Sequence, residues 1–175
     1  MDDGRRGSGG ALARDVMLGA LAAPLAGWLM GKVTTFLYER EDEAARHRED
    51  EARQGLAAYE VAAERAAEFV GRELSDEQRA KAGSAIHWAL AIGAGAVYGG
   101  LRRRVPVLRQ LSGSVFGVLF FALVDEVGNV ALGLTPGPRA FPWQAHARGL
   151  AGHLTFAVAE EAQLSVFERL LARRA

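Results

Sequence analysis

Histidine, carboxylate and amide side chains interrupt stretches of the sequence that are otherwise apolar. Asp125 and Asn129 lie four residues apart, and His153 and Glu160 lie seven apart, so each pair would share one face of a helix. Imidazole and carboxylate groups at one level of a helical bundle can bind a small cation or take up and release protons. We expect one polar cluster, formed by Lys32, His87, Asp125, Glu126, Asn129, His153 and Glu160.

Several kinds of chemistry fit this polar cluster. It could be a paired network that fixes helix register, with Lys32 as the partner of Asp125 or Glu126. It could be a path for protons or ions. It could bind Zn, Mn or Fe, although no HExxH or HxxxH spacing occurs, and we expect no other cofactor. Catalysis is disfavoured, and we assign no catalytic residue, because no activated nucleophile is evident. The candidate metal ligands are His87, Asp125, Glu126, His146 and His153.

Four apolar runs must position the cluster. A helix needs about 20 residues to cross a hydrocarbon core of roughly 30 Å, and each run is long enough. Ala89–Gly100 and Val115–Val124 lack the polar stripe of a soluble amphipathic helix, which favours a membrane bundle. Charged residues in the last two runs must then face protein or water. The runs are residues 14–38, 82–101, 111–134 and 150–171, with Pro24 as a kink site in the first.

A charged segment separates the first run from the others. Residues 39–81 hold 13 acidic and 8 basic side chains and no proline, with Glu and Arg recurring three or four apart. This pattern predicts solvated extramembrane helix, or else a surface for a partner. We expect a break near Gly71–Ser75, with Ser75 as the N-cap of the next helix. The chain then divides into a disordered tail (1–13), a first span (14–38), the charged segment (39–81) and a three-span bundle (82–175).

Composition excludes several classes of protein. The 21 basic and 21 acidic residues balance, so no global positive field would recruit nucleic acid. Cysteine is absent, which excludes disulfides, cysteine-ligated metals and thiol catalysis. Glycines recur four residues apart and would let helices approach closely in a bilayer, within the chain, in a homo-oligomer or against a membrane partner. The pairs are Gly27/Gly31, Gly95/Gly99 and Gly113/Gly117.

The distribution of arginine predicts the orientation. The triplet Arg102, Arg103 and Arg104 lies between the second and third runs, and arginines also precede the first run and end the chain. Because positively charged loops stay in the cytoplasm, both termini are expected there. Phe141-Pro142-Trp143 would then anchor the outer face, and the polar cluster would lie in the outer half of the membrane.

Short motifs in the C-terminal half resemble those of a known family. They are Ile86-His87-Trp88, Ala96-Val97-Tyr98-Gly99, Asp125-Glu126, Gly133-Leu134-Thr135-Pro136, Phe141-Pro142-Trp143 and Gly152-His153. In this order, over Gly83–Leu171, they resemble the YagU family of bacterial inner-membrane proteins. The resemblance implies several membrane spans but no substrate, since the family has no determined activity. The resemblance implies that the residues at recurring positions of the family are, in this sequence, His87, Asp125, Gly133, Pro136, Pro142, His153 and Glu160.

These observations predict an all-α integral membrane protein, a four-helix antiparallel bundle with an extramembrane charged helical segment after the first span. We expect a small multi-pass protein of the bacterial inner (plasma) membrane that moves or senses protons or a small cation. The alternatives are a non-catalytic membrane scaffold or accessory subunit with a structural cluster, and a metal-binding membrane protein. The expected surroundings are the lipid bilayer, with no nucleic acid.

Overall fold

The computed structural model describes residues 3–173, with side chains from residue 9 onward. Between residues 3 and 173 the chain is helical apart from short connections and contains no strand, so the all-α prediction is confirmed. The helices are α1 (Asp3–Tyr38), α2 (Glu43–Arg53), α3 (Ala58–Phe69), α4 (Asp76–Leu101), α5 (Ser114–Phe120), a π-helix (Phe121–Gly128), α6 (Asn129–Ala131) and α7 (Trp143–Ala172).

Three helices are long and apolar enough to cross a membrane. They are Gly9–Tyr38 within α1, Asp76–Leu101, and the continuous helical stretch Ser114–Ala131. The helix α1 continues through Pro24 and ends at Tyr38, where the first span was predicted to end. Residues 1–13 were predicted to form a disordered tail, but in the structure α1 already begins at Asp3. Good helix formers from Ala11 to Arg14 account for the helix at the end of the predicted tail, and residues 1–2 lie outside the described residues.

The charged segment forms two short helices, with clear local reasons for their ends. The side chain of Asp42 caps α2 by accepting a hydrogen bond from the Ala45 amide at 2.8 Å. Gln54, with φ of 51°, ends α2 in the left-handed region, which is a break that the sequence did not predict. The predicted break near Gly71–Ser75 and the Ser75 N-cap are both confirmed, since α4 begins at Asp76.

Small residues let α1 and α4 pack closely in antiparallel orientation. A Cβ atom at Gly19 would lie 2.0 Å from the carbonyl oxygen of Gly95, and one at Gly99 would lie 2.3 Å from that of Asp15. Neither position therefore tolerates a side chain in this arrangement. The predicted glycine face at Gly95 and Gly99 is occupied by the chain's own helix, so it is not free for a partner.

The C-terminal half packs in the same close manner. Gly117 of α5 faces α7, where its Cβ would lie 2.8 Å from the carbonyl oxygen of His153. Gly113 precedes α5 with φ of +87°, and a Cβ there would lie 2.9 Å from the Tyr98 hydroxyl, so both conformation and space require glycine. The helix α7 begins at Trp143, seven residues before the predicted fourth run, and brings His146 into its first turn.

Candidate functional site: an interhelical cavity

A cavity of about 890 Å³ lies between α1, α4, α7 and the stretch from α5 to α6, and α2 and α3 line it on one side. Most of its wall is apolar. Ionisable groups come from α2, α4, the π-helix and α7, and they are Glu49, Asp50, Arg53, His87, Asp125, Glu126, His146, Arg148 and His153. Five of the seven residues of the predicted polar cluster line this cavity, namely His87, Asp125, Glu126, Asn129 and His153.

The first histidine–carboxylate pair joins α7 to the π-helix. The Nδ1 atom of His153 lies 2.9 Å from the carbonyl oxygen of Gly149 and 3.7 Å from Oδ2 of Asp125. Because a carbonyl only accepts, Nδ1 carries the hydrogen, and Nε2 of the neutral ring is left as the basic atom. The rings of Phe120 and Phe121 pack against the imidazole, with centroids at 4.7 and 5.6 Å. His153 is therefore a fixed, buried base beside the carboxylate.

The second pair is shorter and lies one residue further along the π-helix. The Nδ1 atom of His146 lies 2.6 Å from Oε1 of Glu126, and its Nε2 atom lies 3.0 Å from the carbonyl oxygen of Pro138. Nε2 must donate to that carbonyl, so a hydrogen bond between Nδ1 and Oε1 requires a hydrogen on one of these two atoms.

The π-helix is the local feature that turns both carboxylates towards the cavity. Its wider turn presents the consecutive residues Asp125 and Glu126 to different histidines of α7. Such turns are rare and occur often at functional sites. Gly128 fits this conformation, because a Cβ there would lie 2.8 Å from the carbonyl oxygen of Leu123. The periodicity of the sequence does not indicate the π-helix, and Gly128 is the residue that could have suggested it.

The charged segment closes one side of the cavity. Tyr59 of α3 packs on the ring of His87, with centroids 5.2 Å apart, and both residues line the cavity. The guanidinium of Arg65 donates to the carbonyl oxygen of Leu132 at 2.6 Å, and Gln144 donates to Asp42 at 2.9 Å. The surface of this segment that was predicted to face solvent or a partner is thus partly docked on the chain's own helices.

Arginine–glutamate pairs hold α2 in place. The guanidinium of Arg148 on α7 donates to both Glu41 and Glu49, and Arg53 pairs with Glu49 at 2.8 Å. Glu49 is buried, with 3% of its surface exposed. Burial raises the pKa of this carboxyl, but its hydrogen bonds with Arg148 and Arg53 and their charges outweigh burial, and the net pKa is lowered.

Two residues of the predicted polar cluster lie elsewhere. Lys32 is exposed, with its Nζ atom 5.6 Å from the ring centroid of Trp28, and it pairs with neither Asp125 nor Glu126. The position of a residue along a helix does not determine which side of that helix faces the bundle. Glu160 is fully buried beside Gly95, and neither carboxyl oxygen has a hydrogen-bond partner in the described part of the chain.

A separate ionic network ties the far ends of α4 and α7 together. Arg102 binds Glu161 through two hydrogen bonds, at 2.7 and 2.8 Å, and Tyr98 donates to the same carboxylate at 2.6 Å. Arg103 pairs with Glu168 at 3.0 Å, and Arg104 lies 3.5 Å from Asp15. The arginine triplet that predicted topology therefore also has a structural role.

The candidate metal ligands share the cavity wall without forming one ligand set. Asp125 faces His153, whereas Glu126 faces His146, and His87 packs against Tyr59. Among side chains 9–173, no three His, Asp or Glu residues are grouped so that they could hold a metal ion. The wall instead offers two separate histidine–carboxylate pairs.

Comparisons with protein families, with curated proteins and with solved structures find no match to this chain.

Proposed function

We propose that the protein is a four-span bundle of a bacterial inner membrane whose cavity takes up and releases protons or a small cation. The exterior of the bundle supports this proposal, because it is more apolar than the exterior of a soluble protein. Large apolar side chains point outward, whereas soluble proteins rarely expose large contiguous apolar patches. Examples are Leu21, Leu25 and Trp28 on α1, Ile92 and Val97 on α4, Val118 and Val127 on the third stretch, and Val158, Val166 and Leu170 on α7.

The helix α7 is proposed as the fourth span. Its 30 residues extend about 45 Å at 1.5 Å per residue, more than a bilayer core requires. The ionisable residues His153, Glu160 and Glu161 are all buried, and the outward side carries Val158 and Val166. A helix in lipid is expected to bury its ionisable side chains against protein and to expose apolar ones, as α7 does.

Orientation is proposed from the same arginines as before. Arg102, Arg103 and Arg104 would lie in the cytoplasm together with both termini, because short positively charged loops are retained there. Exposed Trp143, at the start of α7, would lie at the opposite interface. Membership of the YagU family remains part of this proposal and rests on the resemblance of the short motifs in the C-terminal half.

The observation that carries the proton-handling proposal is the presence of two histidine–carboxylate pairs on one cavity wall. Asp125 and Glu126 come from one helix, and His153 and His146 come from the other. Protonation of either pair changes its charge without breaking a helix, which suits repeated loading and release. A structural scaffold or accessory subunit is the second candidate, favoured by the fully engaged Arg102–Glu161 network.

Proton flux into liposomes tests the proposal. The purified chain is reconstituted with a trapped pH-sensitive dye, and flux is driven by a potassium gradient with valinomycin. We expect Asp125→Asn to reduce flux at least tenfold, while Glu77→Gln, which changes an exposed carboxylate on the first turn of α4, retains it. Circular dichroism and size-exclusion profiles control for folding. Equal flux in both variants and in empty liposomes would leave the scaffold as the better proposal.

A further inference from the structure

The cavity is much larger than a path for protons requires. A water molecule accounts for about 30 Å³ of liquid, whereas sites for organic ligands range from about 300 to 1,000 Å³ and are mostly apolar. At about 890 Å³, this cavity falls in the second class. Its wall is also mostly apolar, with side chains such as Met30, Leu90 and Phe156. An organic molecule of moderate size fits this space.

The charges of the side chains that line the cavity favour one kind of ligand. Four carboxylates and two guanidiniums line the cavity. The carboxylates are those of Glu49, Asp50, Asp125 and Glu126. Glu49 is neutralised by Arg53 and Arg148, and Glu126 is hydrogen-bonded to His146. Within the part of the chain that the structure describes, Asp125 accepts no hydrogen bond, and its side chain is 37% exposed at the cavity wall. A cation is therefore the complementary ligand.

Aromatic rings lie near this carboxylate. Phe120 and Phe121 pack beside His153, which lies 3.7 Å from Asp125, and Tyr59 also lines the cavity. Aromatic faces attract organic cations and also accept their apolar substituents. A small hydrated metal ion would gain little from these rings.

We infer that the cavity binds a monovalent lipophilic organic cation, with Asp125 as its counter-charge. This inference rests on the proposed function, since the same carboxylate would hold either the cation or a proton. Phe120 and Phe121 contact the apolar body of the ligand. The paired residues Arg148 and Glu49 hold the wall of the cavity and leave its net charge unchanged.

Binding of tetraphenylphosphonium to the purified full chain in detergent tests the inference. We expect saturable binding of one cation per chain, measured by equilibrium dialysis with empty micelles subtracted. Asp125→Asn should weaken binding at least tenfold, and Asp125→Glu should restore most of it. Glu77→Gln, at an exposed carboxylate outside the cavity, should change the affinity less than threefold.

Three binding results would overturn the inference even if tetraphenylphosphonium binds. They are equal binding of the anion tetraphenylborate, equal binding by Asp125→Asn, and saturable binding of tetramethylammonium with the same affinity, which would indicate a small-cation site. The liposome assay separates the two proposals. Flux that depends on Asp125 without binding of tetraphenylphosphonium refutes only the ligand, and binding without such flux refutes only the proton-handling function.

Discussion

Replacement of Arg148 by alanine tests how the charged segment is held over the cavity. The Arg148 side chain is 11% exposed, and its two partners, Glu41 and Glu49, are 9% and 4% exposed. Loss of one partner of a buried ion pair costs about 3–5 kcal/mol, because the remaining charge stays buried. Arg53 still neutralises Glu49, so we expect the lower end, about 3 kcal/mol. At about 1.4 kcal/mol per factor of ten, detachment of α2 becomes roughly 100-fold more frequent.

Hydrogen exchange of the backbone amides of α2 measures this detachment directly. Exchange through local opening follows the opening equilibrium, so the amides of Glu43–Arg53 should exchange roughly 100-fold faster in Arg148→Ala. The second half of α4, where Gly95 and Gly99 pack on α1, should be unaffected. Arg48→Ala, which removes an exposed guanidinium from the same helix, is the matched control.

The outcome is decisive in either direction. If α2 exchanges at the same rate in Arg148→Ala and Arg48→Ala, the ion pairs do not hold the segment and the reasoning is refuted. Arg148→Lys retains the charge but loses the second donor group, so its exchange rate should fall between those of the wild type and the alanine variant.

Three further predictions concern packing, a buried acid and pH. Gly95→Ala should lower the thermal unfolding midpoint in detergent, at a cost of about 1–3 kcal/mol, because the added Cβ would lie 2.7 Å from that of Ala23. Gly93→Ala, with open space around it, should raise the midpoint slightly. Glu160→Gln should leave the midpoint nearly unchanged, because its carboxyl has no partner to lose in the described structure; a large rise would mean that an unpaired ionised carboxylate had been destabilising the bundle. The lowered pKa of Glu49 contributes stability that is present above its ordinary value of 4.5 and lost as pH falls through the folded-state value. Exchange in α2, corrected for intrinsic rates, should therefore accelerate below about pH 4.5 in the wild type and not in Glu49→Gln.

Local rules in the sequence predicted the parts of the fold that local forces determine. Length and apolarity identified the helices, and Ser75 with its acidic first turn located the start of α4. The four-residue spacing of Asp125 and Asn129 predicted a shared helix face, and both line the cavity, whereas of the seven-residue pair only His153 lines it and Glu160 does not. These features depend on residues close together in the chain, so one sequence is enough to predict them.

Contacts between distant residues could not be predicted in this way. Lys32 was placed by depth alone, and its side of α1 depends on which face packs against α4 and α7. The docking of α2 depends on Arg148, about 100 positions away from Glu49. The π-helix at Asp125 has no periodic signature, because its turn differs from the ordinary helix only over residues 121–128.

Accessibility of single spin labels in lipid tests the central claim, an apolar exterior in lipid around a water-accessible cavity that carries ionisable groups. The native chain has no cysteine, so each label reports one position. Labels at outward-facing Leu21, Val118 and Val158 should be relaxed by oxygen, which concentrates in lipid, and hardly by a water-soluble nickel chelate. Labels at His87 and Asn129, on the cavity wall, should respond in the opposite way. Strong relaxation of the outward labels by the nickel chelate would contradict the account.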